Sequence, residues 1–460
     1  MVFEKYYSDK NVKFNLYGYC PPGCETGDYM LGQTIEKSFR TVERFQEYKE
    51  VGFNTVLAGT IATYYGEEWE TSMCKKVMDV VYAAGIDQYI VGDQMFYELS
   101  SQPDGLIGQG KRFENEEALD AFVANRIKDY SAHPAFYGLY LRDEPHYYLF
   151  KAFGQLYRSI KRVCPKAFIH CNLLPLDTLR WMDERYPQGG DLFERRTKYL
   201  EMFLDETGAD YIMYDDYPFC YAKENKINYI RCLQNAAAIC RDRKIDFSFV
   251  AQSCSMKIGN SDYYWTPNEQ ELRFQQNLLL GFGVRELGFF TYMPHGNNSI
   301  GENFQNDGAM LTRQGERMPL YYVMQKLLKE LWEIIPVVTK FEYRHSAYDV
   351  ETFCSFLKQL DYALNEKLDN VLSFKTDREG VMINELYDEK NDQYLYRVIN
   401  MTEVRCEEAQ GVAQNTHVCF DPKFRHADVY VDGKWTERTL VNGELDLALL
   451  PGDSAYVLIY

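Results

Sequence analysis

The sequence lacks long apolar runs and lacks an excess of positive charge. No stretch of apolar residues is long enough to span a bilayer, and the opening residues MVFEKYYSDKNVKF contain no apolar segment of the kind that directs secretion. The formal net charge is −18, which disfavours nucleic acid and anionic membranes as partners because both bind basic surfaces. We therefore expect a cytoplasmic protein that binds neither membranes nor nucleic acid.

Cysteine and histidine are present, but not at the spacings that are typical of metal sites. The 12 cysteines include no C-x-x-C pair, and the 7 histidines include no H-x-H or H-x-x-x-H pattern. Disulfides belong to oxidising compartments, so these cysteines are expected to be reduced thiols. The sequence predicts no metal ion.

The signals of a nucleotide-binding loop are also missing. No G-x-G-x-x-G pattern occurs. GLIGQGK at residues 105–111 fits G-x-x-x-x-G-K, but Arg112 stands where Ser or Thr is required, and the preceding predicted strand ends near Asp93. We interpret the segment as a flexible loop and expect no cofactor.

Strand-like and helix-like segments alternate over the first three quarters of the chain. Apolar strand-like runs lie at residues 13–19, 53–59, 88–93, 136–145, 167–175, 209–218, 246–253 and 286–293. Segments with helical periodicity follow at residues 34–49, 70–84, 116–130, 150–164, 192–207, 229–241, 268–281 and 318–335. Eight such units predict an α/β fold, a closed (β/α)8 TIM barrel over residues 1–339.

The periodicity changes to two in the last quarter of the chain. Short alternating runs lie at residues 394–400, 416–421, 427–431, 434–440 and 454–460, and Asp432-Gly433 is typical of a hairpin turn. The pattern predicts a small C-terminal antiparallel β-sandwich-like domain over residues 340–460, with a supporting role.

Polar residues collect at the carboxyl ends of the predicted strands, which meet at one end of a barrel. The fourth strand, FYGLYLRDEP at residues 136–145, ends in Asp143 and Glu144. The other strand ends contribute Tyr17, Tyr19, Asp93, His170, Asn172, Asp215, Asp216, Tyr217, Gln252, Tyr292 and His295. Hydrolysis of a glycosidic bond needs a proton donor and, in most families, a second carboxylate that attacks or activates water. The set therefore predicts an enzyme that cleaves glycosidic bonds in small carbohydrates.

Glu144 is the predicted proton donor, because the neighbouring charge of Asp143 and enclosure in the barrel would raise its pKa. Asp216 is slightly preferred over Asp215 as the second carboxylate, with Asp93 as another candidate base. The other strand-end residues are expected to bind substrate. A purely structural alternative is that Asp143 and Glu144 cap the following helix.

The sequence resembles the barrel of clan A glycoside hydrolases, notably the β-galactosidase-like enzymes of family 42. The resemblance is carried by HPAFYGLYLRDEP, NEQELRFQQNLLLGFGVRELGFFTYMP and DGAMLTRQGERMPLYYVMQKLLKEL. The terminal LDLALLPGDSAYVLIY is similar to the small β-domain that closes such chains. The resemblance implies that Glu144 is the acid/base residue of the fourth strand.

Two departures from that family leave the mechanism open. Asp143 stands where the family has Asn, and Gln252 stands where the family has a nucleophilic glutamate. The Asp143–Glu144 pair is also similar to the substrate-assisted N-acetylhexosaminidases, which use such a pair for the acetamido group and the leaving oxygen. A non-catalytic carbohydrate-binding barrel is the alternative from a different class. The sequence leaves the formation of a homo-oligomer open.

Overall fold

The computed structural model describes most of the chain. The described residues are 1–9, 12–23, 39–58, 62–175, 192–221, 225–258, 261–294, 304–305, 308–349, 365–377, 380–402, 404–405 and 411–460. Within these ranges no helix is both long and apolar enough to cross a membrane.

Helices and strands are interspersed up to the last helix, and the chain after it contains strands among its described elements. The α-helices are α1 (Val2–Tyr6), α2 (Val42–Val51), α3 (Met73–Ala83), α4 (Gln94–Ser100), α5 (Glu116–Ser131), α6 (Phe150–Val163), α7 (Leu192–Thr207), α8 (Asn225–Arg243), α9 (Glu269–Gly281) and α10 (Pro319–Val338). The strands up to α10 are β1 (Asn15–Gly18), β2 (Thr55–Leu57), β3 (Gln88–Gly92), β4 (Phe136–Asp143), β5 (Phe168–Asn172), β6 (Tyr211–Asp215), β7 (Asp246–Gln252), β8 (Met256–Ile258), β9 (Ser261–Tyr264), β10 (Val284–Phe290) and β11 (Phe304–Gln305). The later strands are β12 (Glu342–Asp349), β13 (Val371–Thr376), β14 (Val381–Asp388), β15 (Gln393–Asn400), β16 (Gln414–Phe420), β17 (His426–Val431), β18 (Lys434–Thr439), β19 (Glu444–Leu449) and β20 (Ser454–Ile459).

Eight parallel strands form the predicted barrel. β2, β3, β4 and β5 form one four-stranded sheet, and β6, β7, β10 and β1 form the other. The two sheets meet where the backbone N–H of Asn54 donates to the carbonyl of Leu16 at 3.0 Å and where that of Leu173 donates to Met213 at 2.9 Å. The strand order around the barrel is therefore the order along the chain, and the (β/α)8 prediction is confirmed.

The helices begin and end at the residue types that their sequences contain. Thr41 and Ser72 cap the N-termini of α2 and α3, and Asn268 forms a capping box with Glu271 at α9. α2 ends at Gly52, whose φ of 119° is strained for other residues. These caps fix where α2, α3 and α9 begin and where α2 ends, and so they limit the loops that connect these helices to the strands.

Two antiparallel sheets follow the barrel and pack face to face. The six-stranded sheet has the order β12-β14-β15-β20-β17-β18, and the three-stranded sheet has the order β13-β16-β19. Val398, Phe420 and Leu447 belong to their shared apolar core. The turn at Asp432-Gly433 joins β17 to β18 as predicted, with positive φ at both residues. The antiparallel β-sandwich-like architecture is confirmed.

Several elements differ from the sequence-based prediction. α4 was not predicted, because it is only seven residues long and depends on the Asp93 cap. β8, β9 and β11 form a small antiparallel sheet after β7 that the alternating pattern does not reveal. The segment at residues 105–111 contains no helix or strand, in agreement with its interpretation as a loop.

Candidate active site

A β-bulge near the end of β4 determines which acidic side chain enters the barrel. In the register with β5, Tyr140 pairs with His170 and Asp143 pairs with Asn172, so β4 uses one residue more than β5 over this stretch. The bulge interrupts the strict alternation of side chains, as bulges do. Arg142 consequently turns outward, where its guanidinium lies over a tyrosine ring of α4 at 4.4 Å. Asp143 turns inward beside Asn172.

Asn172 joins Asp143 to Asp215 across the ends of β4, β5 and β6. Its side-chain nitrogen donates to Oδ1 of Asp143 at 3.1 Å and to Oδ1 of Asp215 at 2.7 Å. Because both oxygens bond to the same nitrogen, these lengths keep the two accepting oxygens within about 5.8 Å of each other. Two carboxylates from different strands thus face each other at the barrel end.

The surrounding protein, which excludes part of the water, raises the pKa values of both carboxyl groups, and the charge of Asp143 adds to the rise at Asp215. The pKa of Asp215 rises to about 7, chiefly because of burial and then because of the charge of Asp143, while hydrogen bonds from Asn172 and Tyr217 act against the rise. Water reaches Asp143, but the surrounding protein still raises its pKa, against the effects of Asn172 and the charge of Arg142. At neutral pH the pair therefore favours a single shared negative charge.

Aromatic and imidazole side chains form the layer beneath this pair. The hydroxyl oxygens of Tyr17 and Tyr19 lie 3.2 Å and 3.4 Å from Nε2 of His170. Burial lowers the pKa of His170 to about 3, so the ring is neutral. Gly288 leaves room for Tyr17, because a Cβ there would lie 2.6 Å from the Tyr17 ring. The structure thus places Tyr17 and His170, predicted to bind substrate, in the floor of the site.

Tyr217 brings an aromatic surface to the pair. Its ring stacks on Phe290 at 5.9 Å and meets the edge of Tyr264 at 5.7 Å. Phe290 also contacts Tyr19 at 5.9 Å. Tyr217 was predicted from its strand end, whereas Phe290 and Tyr264 were missed. A period-two reading of β10 would have found Phe290, but no sequence signal placed Tyr264, which belongs to β9.

Asp216 lies on the opposite face of β6 from Asp215. Burial raises the pKa values of Tyr214 and Tyr229, two tyrosines between the barrel strands and the helices, and the charge of Asp216 adds to both rises. The inward face carries Met213, which accepts a hydrogen bond from the Tyr17 hydroxyl. Alternation along β6 therefore brings Asp215, and not Asp216, to Asn172.

Glu144 follows the last residue of β4 in an unusual backbone conformation. Its φ is +43°, in the left-handed region, and its N–H donates to the carbonyl of Asn172 at 2.8 Å. The residue is half-buried. Its predicted role as proton donor stays a prediction.

Asp93 is occupied by structural partners. Arg126 contacts both of its carboxylate oxygens, at 2.8 Å and 2.9 Å, and the Tyr130 hydroxyl donates at 3.1 Å. Asp93 also caps α4 by accepting from two backbone N–H groups. These bonds explain its burial without any substrate.

Gln252 and Tyr292 also have structural surroundings. The Gln252 amide accepts from the N–H of Phe219 at 2.9 Å and donates to the carbonyl of Trp265 at 2.9 Å, so it holds two loops together. Tyr292 packs against Tyr48, with ring centroids 4.9 Å apart, on the α2 side of the barrel. His295, the remaining predicted ligand, lies outside the described residues.

No group of three or more potential metal ligands occurs in the described part of the chain. The carboxylate pair is surrounded by an amide donor, tyrosine hydroxyls and aromatic rings. Such a site can transfer a proton and can attack or polarise a neutral substrate.

The fold has counterparts among solved structures. An α-amylase from Anoxybacillus, described as a new glycosyl hydrolase subclass, aligns over 97% of this chain and 98% of its own, with a TM-score of 0.50 and 9% identity. A GH27 β-L-arabinopyranosidase from Geobacillus stearothermophilus aligns over 97% and 95%, with a TM-score of 0.48 and 10% identity. A β-glucuronidase from Ruminococcus gnavus covers 69% of this chain and 49% of its own, with a TM-score of 0.41 and 11% identity.

The likeness to the Anoxybacillus structure extends over nearly the full length of both chains, and at this identity it describes the fold alone. No protein-family model matches the sequence, and no curated protein matches it. The chain is thus a (β/α)8 barrel followed by a C-terminal β domain, and its activity has to be argued from the site.

Proposed function

We propose that the protein is a retaining glycoside hydrolase in which Asp143 and Asp215 are the reacting carboxylates. The observation that carries the proposal is the shared amide of Asn172, whose two hydrogen bonds keep the accepting oxygens of the two carboxylates within about 5.8 Å of each other. Retaining enzymes keep their two carboxyl groups about 5–5.5 Å apart, whereas inverting enzymes need about 6.5–9.5 Å to accommodate a water molecule. The spacing supports attack by a carboxylate on the sugar.

The pKa values support a division of roles. Asp215, with a pKa of about 7, holds a proton near neutral pH and can donate it to the leaving oxygen. Asp143 lies nearer the positive charge of Arg142, which favours its ionised form as the nucleophile. Attack by Asp143 on the anomeric carbon would form a glycosyl ester and break the bond to the leaving group.

The second half of the reaction follows from the same electrostatics. Once Asp143 is esterified it carries no charge, so the repulsion that raises the pKa of Asp215 disappears. Asp215, now ionised, can take a proton from the water that hydrolyses the ester. One pair of residues thus supplies acid, nucleophile and base in turn.

The substrate is proposed to be a small neutral carbohydrate. Tyr217, Phe290 and Tyr264 offer aromatic faces beside the carboxylates, which suit the apolar faces of sugar rings. The resemblance to family 42 implies specificity for β-galactosides, and we propose β-galactosides as the first substrates to test. Glu144 remains the alternative proton donor predicted from the sequence.

The test begins with a panel of nitrophenyl glycosides and proton NMR of the first sugar released. We expect hydrolysis of at least one glycoside with retention of the anomeric configuration. Asp143→Asn should abolish activity on every substrate. Asp215→Asn should lose activity on alkyl glycosides but keep kcat/KM on dinitrophenyl glycosides, because their leaving group needs no proton. Its kcat on dinitrophenyl glycosides should still fall, because Asp215 is also the base that activates water in the second step.

Glu144→Gln serves as the matched control. If Asp215 is the donor, Glu144→Gln should keep activity on both leaving-group types. Inversion of configuration, full activity in Asp143→Asn, or selective loss of alkyl glycoside hydrolysis in Glu144→Gln would contradict the assignment. A folded wild-type protein that hydrolyses no glycoside in the panel would contradict the proposal itself.

A further inference from the structure

A groove at the opposite end of the barrel from the carboxylates is lined by lysines. It has a volume of about 540 Å³ and lies between α1, the segment before β1, the end of α10 and the turn between β14 and β15. Lys5, Lys13, Lys340 and Lys390 all line it. Because β1 begins at Asn15, this lysine groove is at the amino end of the strands.

No described residue neutralises the ammonium groups of the lysine groove. Among the described residues, none of the four forms an ion pair. The one carboxylate of the groove, Asp388, accepts from the Tyr7 hydroxyl at 2.8 Å, from the Asn391 amide at 2.6 Å and from the backbone N–H of Lys390 at 3.0 Å. Its oxygens are therefore turned towards the protein, and the groove keeps a net positive charge.

Such a concentration of positive charge is unusual in a chain with a net charge of −18. Two of the lysines have a local reason for their positions. Lys5 is in the last turn of α1, and Lys340 lies just beyond Val338, the last residue of α10, where cations favour the helix dipole. Helix ends do not explain Lys13 or Lys390, which reach the same groove from a strand start and a turn.

We infer that the lysine groove binds a small multivalent anion that carries two or more phosphate or carboxylate groups. Its volume is within the range of small-molecule sites, about 300–1,000 Å³. Lysines are compact, mobile charges that suit phosphate and carboxylate groups at several points along a ligand. The inference does not depend on the proposed hydrolysis, since the groove lies at the other end of the barrel.

The test measures binding of two probes, tripolyphosphate and trigalacturonate, by calorimetry with the full chain at low ionic strength. We expect saturable binding of at least one probe, which weakens as salt is added. Replacing Lys5, Lys13, Lys340 and Lys390 by Gln together should weaken that binding by at least about tenfold, because four charges near the ligand are lost. The probe that binds more tightly identifies the anionic group.

A second variant with the same net charge supplies the control. It carries Gln at four exposed lysines elsewhere, Lys76, Lys166, Lys329 and Lys434. This variant should bind like the wild type, and circular dichroism should show both variants folded. The inference is overturned if the folded wild type binds neither probe, or if the control variant loses as much affinity as the groove variant.

Discussion

Asp93 and Asp215 follow buried parallel strands of the same barrel, and they differ in what the surrounding helices provide. They are 2% and 6% exposed, so their burial is alike. Burial raises the pKa of Asp93 as well, but Arg126 and the Tyr130 hydroxyl of α5 act against that rise. Among the described residues, Asp215 has no ion-pair partner, and its pKa rises to about 7. We propose that a strand-end carboxylate of this barrel is structural where a cation from the helix layer reaches it, as at Asp93, and reactive where none does, as at Asp215.

Matched Asp→Asn variants test this comparison most directly. Asp215→Asn should lower kcat by about 1,000-fold on alkyl glycosides, because the proton donor is lost, with little change in the free energy of unfolding. Asp93→Asn should leave the chemistry intact but lower the free energy of unfolding by about 3 kcal/mol, because Arg126 loses its counter-charge. Kinetics and urea unfolding of both variants measure the two effects. Equal decreases in the free energy of unfolding of the two variants would contradict the proposed distinction between a structural Asp93 and a reactive Asp215.

Glu286 extends the comparison to the barrel floor, where a third carboxyl group is buried and forms no ion pair with a described residue. Burial raises its pKa to about 8, against hydrogen bonds from Asn15 and Tyr17. The pKa of Glu286 is higher in the folded protein than in the unfolded chain, where it is about 4.3. Glu286 therefore contributes fully to the free energy of unfolding below about pH 4.3, where its carboxyl group is neutral in both states. This contribution is lost as the pH rises towards about 8.

The free energy of unfolding of Glu286→Gln should therefore rise relative to that of the wild type as the pH rises. Between about pH 5 and 7 the difference in unfolding free energy should grow by about 1.4 kcal/mol per pH unit, because the unfolded wild type releases one more proton. Urea unfolding at several pH values measures this slope. A constant difference across the range would show that Glu286 is ionised in the folded protein.

A substitution at Gln252 tests whether the seventh strand can supply the nucleophile, as it does in family 42. Its amide nitrogen donates to the carbonyls of Phe219, Cys254 and Trp265, at 3.2 Å, 3.3 Å and 2.9 Å. Gln252→Glu would remove these donors and bring a negative charge to three carbonyl oxygens, so the free energy of unfolding should fall by about 2 kcal/mol with no gain in activity. Gln270→Glu, the same change at an exposed position of α9, is the control. A more active Gln252→Glu variant would favour the family's usual nucleophile.

The barrel could be predicted from the sequence because each parallel strand is buried on both faces and is therefore an apolar run. Five of the nine described strands after α10 were found through their alternation, namely β15, β16, β17, β18 and β20, whereas β12, β13, β14 and β19 were missed. The site was only partly predictable, since the strand-end rule found Asp143, Asn172 and Asp215 but gave preference to Glu144 and Asp216. Side-chain direction depends on the bulge in β4 and on the register of β6, and neither leaves a mark in the local sequence.

The smallest expected effect concerns Asn172. It bridges Asp143 and Asp215, the proposed reactive pair, but it carries no charge. Asp93, in contrast, is held by the cation of Arg126. Asn172→Ala removes a hydrogen bond that lowers both pKa values, so both limbs of the pH profile should move to higher pH. The value of kcat should fall about tenfold, since the carboxylates lose their shared orienting partner. Cys171→Ala, on the opposite face of β5, should leave the profile in place. A lower kcat with an unmoved profile would mean that Asn172 only supports the local packing.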